Sequence, residues 1–408
     1  MEKQNFQLEY EYRNTTKKDV EVWFSEPKES STQRNITTKL NLKPDKITEH
    51  PFLNTLWYFH LKPGQKLTVL INYKGSRRDK NYKSDITTEE KNFFLRSTKL
   101  IPVNEEIKKE AKAIVEGANT DIEKAKKIFL YIIKTYRYST RFSKRGIDDF
   151  KARKAGDCGE FGALFCSYCR ALNIPARMLY GTWILKKFSP HSWSEIYIEN
   201  EGWIPVDPSM GRIKLYFHPF INISSAIFYG VFPNKKRYFG DQEGKRLSFS
   251  VDPERLLSPL YIDSNENLKD INKECIAGKE ITWGYESLNG TAPFLQPIYP
   301  KLHSVEIATP IKLLFGNWSG KHTSILKNLT YKAKSISFQI GFSILMLEII
   351  NEYIFKNEML FTILPLFSYP FILLGTILSI IRNEGNVLIY VLGILLTLSF
   401  IGDIGELM

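Results

Sequence analysis

The sequence predicts an α+β protein with an antiparallel β-sandwich at the N-terminus, a mixed α+β core and a C-terminal group of transmembrane helices. Apolar residues alternate near the N-terminus, the middle changes from helical to strand periodicity, and the last part contains long uncharged runs. With 408 residues, 43% of them hydrophobic and 25% charged, the chain is neither disordered nor fibrous. We expect domains at 1–83, 84–255 and 335–408, with 256–334 unassigned.

The sandwich is predicted from a period of two between Phe6 and Tyr73. The alternating runs are short and are separated by turn sequences such as LKPDK and LKPGQ. Such alternation is typical of antiparallel strands with one buried face. The alternating positions are Phe6, Leu8, Tyr10, Tyr12, Val20, Val22, Phe24, Leu67, Val69, Ile71 and Tyr73. We interpret this part as a structural or docking module.

The core is predicted to begin with helices and to continue with strands. Thr120 and Glu123 form a capping-box pattern that opens one helix. A second helix, with apolar residues on one face, starts near Cys158 and ends before Pro175. The strands that follow are predicted at 176–183, 193–199 and 202–206, with a hairpin joining the last two.

The segment after these strands is predicted to be a loop. The sequence LYFHPFINISSAIFYGVF is apolar, but His218, Pro219 and Asn222 interrupt it. We therefore expect a buried or substrate-facing loop rather than a membrane span.

Two or three membrane spans are predicted at the C-terminus. Met359–Ile381 has no charged residue and exceeds the roughly 20 residues that cross a bilayer. Gly385–Gly402 is a second uncharged run, whereas Glu348 and Glu352 interrupt Ser335–Phe355. That last segment is either a first span or an interfacial helix. The alternative is a hydrophobic hairpin buried in a soluble protein.

The charge distribution favours a membrane partner. The net charge is +12, yet Lys356 and Arg382 are the only basic residues after Ser335. A basic soluble part suits anionic lipid headgroups, and no nucleic-acid partner is expected because no recognition motif is present. Because several lysines precede the first apolar run, the positive-inside rule predicts a multi-pass membrane protein with a cytoplasmic N-terminal part. These lysines are Lys321, Lys327, Lys332 and Lys334.

Three residues could carry nucleophilic chemistry. Cys158 lies at a predicted helix start, where free amide groups and the helix dipole favour a thiolate, the nucleophilic form. Gly156 and Gly159 beside it would leave the sulfur accessible. His191 and Asp207 lie on paired strands, so antiparallel pairing would bring them together. Each residue alone has an ordinary structural explanation, but together they form a nucleophile, a base and an orienting group.

The motifs around these residues resemble those of the transglutaminase-like superfamily of papain-type enzymes. They are GDCGEF at 156–161, HSWSE at 191–195 and GWIPVDP at 202–208. The intervening ALNIPARMLYG is also similar to the family's passage from helix to strand. The resemblance covers about 104–254 and implies a transglutaminase-like catalytic core.

The resemblance implies a Cys-His-Asp triad acting on protein or peptide amides through a thioester. Cys158 would attack the carbonyl, His191 would pair with the thiolate and protonate the leaving amine, and Asp207 would orient the imidazole. The amide of Cys158, and Tyr138 upstream, would bind the oxyanion. Hydrolysis and transamidation both stay open, and no cofactor or metal is expected. The alternative is a noncatalytic peptide-binding module at the membrane.

The remaining polar and aromatic residues near the motifs are expected to support the structure. Cys166 and Cys169 form a C-x-x-C without a second pair at zinc spacing, so core packing is expected. Glu160 and Glu195 are interpreted as structural, with an arginine such as Arg177 as partner. The three tryptophans of this region are interpreted as core or cleft walls; they are Trp183, Trp193 and Trp203.

Overall fold

The structure, a computed structural model, describes two compact units. The described residues are 4–79, 82, 85–141, 146–185, 189–213, 218–230, 237–261, 275–276, 279–280, 291–292, 294–301, 316–384 and 387–407. The first unit consists of Met1–Ile213 and Asn234–Lys321, and the second of Lys214–Pro233 and His322–Met408. The chain therefore leaves the first unit after Ile213, returns at Asn234, and leaves it again before the C-terminal helices.

The N-terminal strands form the predicted antiparallel sandwich. They are β1 Gln4–Arg13, β2 Val20–Ser25, β3 Gln33–Leu40, β4 Lys46–Thr48, β5 Leu56–Leu61 and β6 Lys66–Gly75. β1 pairs with β6 along its whole length, from Gln4 opposite Gly75 to Arg13 opposite Lys66. The alternating residues are buried, and the rings of Tyr10 and Phe24, on strands of different sheets, lie 5.3 Å apart. The prediction is confirmed.

The core follows as helices and a second antiparallel sheet. Its elements are α1 Thr88–Phe93, α2 Glu105–Ile114, α3 Asp121–Thr135, β7 Arg137–Tyr138, α4 Ile147–Arg153, β8 Ala155–Gly156, α5 Cys158–Ala171, β9 Ala176–Trp183, β10 Pro190–Ile198, β11 Gly202–Val206, α6 Pro208–Arg212, α7 Pro219–Tyr229 and β12 Arg246–Val251. All except α7 belong to the first unit. The sheet order is β11-β10-β9-β12, and α5 packs against it.

Part of the stretch 256–334, unassigned from the sequence, completes the sandwich. Its strands are β13 Arg255–Leu256, β14 Cys275–Ile276, β15 Lys279–Glu280, β16 Thr291–Ala292, β17 Ile298–Lys301 and β18 Asn317–His322. β17 pairs with β2 and β18 lies beside β1, which gives two four-stranded sheets, β18-β1-β6-β3 and β17-β2-β5-β4. Trp318 on β18 is buried and donates to the hydroxyl of Thr182 at 2.6 Å. Trp318 therefore links the last strand of the sandwich to β9 of the core sheet.

The second unit is helical. Besides α7 it contains α8 Ile325–Ile350, a π-helical turn at Asn351–Phe355, α9 Glu358–Ile381 and α10 Val387–Leu407. The prediction of a loop over LYFHPFINISSAIFYGVF was wrong for its described residues, because Pro219–Tyr229 forms the helix α7. Pro219 occupies the first turn, where its missing N–H costs nothing, and Gly230 ends the helix in the left-handed conformation, with φ at 68°.

Two helices of this unit are long and apolar enough to cross a membrane. They are Ile325–Phe355 and Glu358–Ile381, and only 28% of each apolar window is buried, unlike the core helix of a soluble protein. The interrupted run Ser335–Phe355 thus belongs to a long helix, and Glu348 within it accepts a hydrogen bond from Ser368 on α9. The apolar part of α10, Ile389–Gly402, is shorter.

Candidate active site

Cys158 is the first residue of α5. The Asp157 carboxylate accepts from the amide of Gly159 at 2.9 Å, and the carboxylate of Glu160 accepts from the amide of Asp157 at 3.1 Å, so a capping box fixes the helix start. Gly156 is required just before it, because a Cβ there would lie 2.0 Å from a carboxylate oxygen of Glu160. Cys158 is a free cysteine of intermediate exposure. Its sulfur therefore lies at a helix N-terminus, where the dipole stabilises an anion.

His191 and Asp207 lie on neighbouring strands and contact each other. Nε2 of His191, on β10, is 2.7 Å from Oδ2 of Asp207, which follows β11. Both side chains are buried. Since Nε2 is engaged by the carboxylate, Nδ1 is the nitrogen left to exchange a proton with a thiol.

The charges of the three groups are coupled. Burial lowers the pKa of His191, but the negative charges of Asp207 and Cys158 outweigh burial and raise the pKa from 6.5 to about 9. Burial raises the pKa of the Asp207 carboxyl, but His191 and Arg246 outweigh it and hold this pKa well below its usual 3.8. Cys158 thus lies within electrostatic range of the imidazole. The structure brings these three predicted site residues to one place.

A fourth charged residue of the site was missed by sequence reasoning. Nη1 of Arg246 donates to Oδ2 of Asp207 at 2.7 Å, so this one oxygen accepts from both the arginine and the histidine. Nε of Arg246 donates to Glu243 at 2.7 Å, and Tyr238 donates to Glu243 at 3.3 Å. All of these residues are buried. Nothing in the local sequence GDQEGKRLSFS marks this arginine as different from a surface one.

Two tryptophans enclose the imidazole. The ring of Trp183 is 5.1 Å from that of His191, and the ring of Trp193 is 6.0 Å from it in a stacked arrangement. The guanidinium of Arg246 lies over the same two rings, at 4.2 and 5.1 Å. Gly181 permits this packing, because a Cβ there would lie 2.1 Å from the carbonyl oxygen of Leu247 and 2.8 Å from Trp193. The apolar walls keep water from the ion pair, which strengthens it.

Tyr138 lies beside the chain that enters α5. β7 and β8 pair in parallel, and Tyr138 is opposite Gly156, two residues before Cys158. The amide of Ser139 donates to the carbonyl of Gly156 at 2.7 Å, which fixes this pairing. The ring of Tyr138 also lies 6.4 Å from that of Phe161 on α5.

The other residues singled out in the sequence are structural. Cys166 and Cys169 are fully buried, and burial raises the pKa of the Cys166 thiol to about 12. Glu195 pairs with Arg177 at 2.7 Å, whereas the partner of Glu160 is Arg153 at 2.8 Å. Among the described residues, no group of three or more His, Cys, Asp or Glu side chains could hold a metal ion.

The middle of the chain matches a known family. Residues 108–208 match the family model of the transglutaminase-like superfamily, and this range contains all three residues of the cluster. The chain therefore contains a transglutaminase-like domain. No curated protein shows significant similarity to the chain.

Solved structures similar to the chain include two bacterial proteins. One is a candidate cysteine protease from Cytophaga hutchinsonii, at 14% identity and a TM-score of 0.43, with 62% of this chain and 82% of that chain covered. Another is the periplasmic domain of TgpA from Pseudomonas aeruginosa, at 14% identity and a TM-score of 0.32, with 50% and 89% covered. The family assignment rests on the family model.

Proposed function

We propose that the protein is a membrane-anchored cysteine acyl-transfer enzyme that acts on protein or peptide amides. The observation that carries the proposal is the coupled cluster of Cys158, His191 and Asp207. A histidine whose pKa is raised both by a buried carboxylate and by a helix-start cysteine is suited to a thiolate–imidazolium pair. Membrane anchoring is supported by the two long apolar helices.

The proposed reaction has two steps. The Cys158 thiolate attacks the amide carbonyl and forms a C–S bond, and the imidazolium of His191 gives its proton to the leaving amine as the C–N bond breaks. The product is a thioester on Cys158. His191, now neutral, takes a proton from water or from an acceptor amine, whose attack releases the acyl group and restores the thiolate. Asp207 stays ionised and holds the imidazole through both steps.

The oxyanion formed in each step needs hydrogen-bond donors. The amide of Cys158 is available because amides in the first turn of a helix have no partner within the helix. The position of Tyr138 beside Gly156 supports its hydroxyl as a second donor. Replacing Tyr138 by Phe removes this hydroxyl and should slow the attack step by about 10²–10³-fold if the role is correct.

The test uses the purified full-length protein in detergent with an unfolded protein as acyl donor and a fluorescent primary amine as acceptor. Intact-mass measurement after acid quenching should detect an acyl adduct on the wild type and on Cys275→Ala, but not on Cys158→Ala. Incorporation of the amine would identify transamidation, and new termini or released ammonia would identify hydrolysis. Absence of any adduct and of either product would overturn the proposal, and a noncatalytic peptide-binding module would then be favoured.

We also infer that the first unit faces the cytoplasm. Arg382, which follows α9, donates to the carbonyl of Lys327 at 2.6 Å, so both basic residues lie at the same end of the apolar helices. Lys321, Lys332 and Lys334 are close to Lys327 in the chain, whereas the opposite end has only Lys356. This asymmetry follows the positive-inside rule. Protease added outside intact cells should leave the first unit uncut and should cut it after lysis; digestion before lysis would reverse the orientation.

A further inference from the structure

Helix α7 of the second unit exposes apolar residues in its first two turns. Phe220 is 83% exposed, and Ile221 and Ile223 are 36% and 38% exposed, whereas Asn222 and Ser225 are buried. The amide of Asn222 donates to the carbonyl of His218 at 2.8 Å, so its burial is compensated. In a helix that faces water the polar residues would be outside and the apolar residues inside. In the first two turns of α7 the exposed residues are apolar and two polar residues are buried, which is typical of a surface in contact with lipid.

The inner face of α7 packs into the helical bundle, chiefly against α8. Ala226 and Ile227 share a hydrophobic cluster with Phe338 of α8, Ile372 of α9 and Ile389 of α10. These helices also present many exposed apolar side chains, among them Ile336, Ile340, Leu366, Phe367, Leu374 and Ile377. The outer face of α7 therefore belongs to the same apolar surface as the two candidate membrane spans.

A cluster of charges lies beside the C-terminal end of α7. Lys334 of α8 and Arg382 after α9 bind Glu384 at 2.6 and 2.9 Å. The C-terminus of α7 reaches this cluster, because a Cβ on Gly230 would lie 2.5 Å from the side chain of Glu384. Charged residues of this kind belong at the membrane–water boundary.

The contacts of α7 stay within one leaflet. At 1.5 Å per residue, Phe338 lies about 6 Å beyond Lys334, and Ile372 lies about 15 Å before Arg382. Half the hydrocarbon thickness is also about 15 Å. The helix itself, Pro219–Tyr229, is about 16 Å long and cannot cross the bilayer.

The chain on either side of α7 also indicates that this helix does not cross the bilayer. The preceding and the following residues both return to the first unit, so α7 enters and leaves from one face of the membrane. The sequence has no Asp, Glu, Lys or Arg between Lys214 and Lys235, and basic residues flank this stretch on both sides. Basic residues there would meet anionic headgroups.

We propose that α7 is a third membrane-contacting element, inserted into one leaflet beside the spans, with Phe220, Ile221 and Ile223 in contact with lipid acyl chains. The first unit would then be attached to the bilayer at two places in the sequence. One is the C-terminal anchor, and the other lies between Asp207 and Arg246.

The test measures the depth of spin labels in the full-length protein, reconstituted in nanodiscs of mixed phosphatidylcholine and phosphatidylglycerol. Single cysteines replace Phe220, Ile221 or Ile223 in a Cys158→Ser/Cys275→Ser background, since Cys166 and Cys169 are buried. Phe367→Cys on α9 is the lipid control, and Lys126→Cys on α3 is the water control. These positions are exposed, so the labels should not disturb folding.

Oxygen enters the hydrocarbon region and a water-soluble nickel chelate does not. The ratio of oxygen accessibility to nickel accessibility at 220, 221 and 223 should match the ratio at 367. It should exceed the ratio at 126 by at least about tenfold, which corresponds to a difference of about 1.4 kcal/mol in partition free energy. Values like those at 126 would overturn the proposal, and so would labels that neither reagent reaches, since protein would then cover the face. If 367 also resembles 126, the membrane anchor itself is wrong, and the proposal for α7 falls with it.

Discussion

Replacement of His191 by Gln should make the stability of the first unit less dependent on pH. The pKa of this histidine rises from 6.5 to about 9 on folding. At 1.36 kcal/mol per pKa unit, this difference corresponds to about 3 kcal/mol of stability. Because the folded-state pKa is the higher one, this stability is fully present below pH 6.5 and is lost as pH rises through about 9.

The assay is thermal unfolding followed by tryptophan fluorescence. All seven tryptophans precede Lys321, so the signal reports on the first unit rather than on the apolar helices. His191→Gln loses packing and hydrogen bonding at every pH and is therefore less stable than the wild type throughout. The informative quantity is how the difference in unfolding free energy between the two proteins changes with pH. This difference should shrink by about 3 kcal/mol between pH 6.5 and pH 9.5, which corresponds to about 5 °C in Tm for a unit of this size.

Cys158→Ser is the matched control because it removes one of the two charges that raise the pKa of His191. With only Asp207 raising that pKa, the loss of stability should begin at a lower pH than in the wild type. A deficit for His191→Gln that stays constant with pH would refute the reasoning, since His191 would then carry no charge in the folded protein. Identical pH profiles for wild type and Cys158→Ser would refute the coupling to the thiolate.

Two further predictions concern the same cluster. Arg246→Met leaves the buried carboxylates of Asp207 and Glu243 without their arginine and should lower the free energy of unfolding by about 3–5 kcal/mol in the same melts. Adding Glu243→Gln should recover part of that loss. Purely additive losses in the double variant would contradict the network. His191→Ala should slow iodoacetamide alkylation of Cys158 at pH 7, read by peptide mass, while the buried Cys166 and Cys169 stay unreactive in both proteins; an unchanged rate at Cys158 would contradict the ion pair.

The sequence predicted those parts of the fold whose pattern is local. Alternation identified β1 and β6, and the strand limits of the core were right to within a few residues. The capping box at Thr120 was also correct. β17 and β18 were not found, because strands of four and six residues without alternation derive their stability from partners hundreds of residues away.

The candidate site shows the same limit. Cys158, His191 and Asp207 stand in recognisable local contexts, so their clustering could be expected. Arg246 could not be expected, because its role depends on β12 lying beside β9 in the sheet, a pairing that no local sequence encodes. Helix α7 was misjudged for a related reason. His218, Pro219 and Asn222 were interpreted as breaks in an apolar run, but Pro219 fits the first turn of the helix and Asn222 donates to the carbonyl of His218.

The excursion of the chain between Asp207 and Arg246 is closed within the first unit. The amide of Asp207 donates to the carbonyl of Tyr238, and the amide of Gly240 donates to the carbonyl of Pro205, both at 2.9 Å. With the ion pair between Asp207 and Arg246, these bonds join both ends of the excursion.

The site should therefore form without helix α7. The entropic cost of closing a flexible loop depends on its length, by about 0.6 kcal/mol for each doubling, so a flexible replacement of the same length should still let these bonds close the excursion. We expect a Gly-Ser replacement of residues 214–236 at constant length to preserve the alkylation rate of Cys158 in detergent, and its dependence on His191. A rate reduced to that of His191→Ala would show that α7 is needed to assemble the triad, because the three hydrogen bonds at the ends of the excursion would then be too weak to hold it.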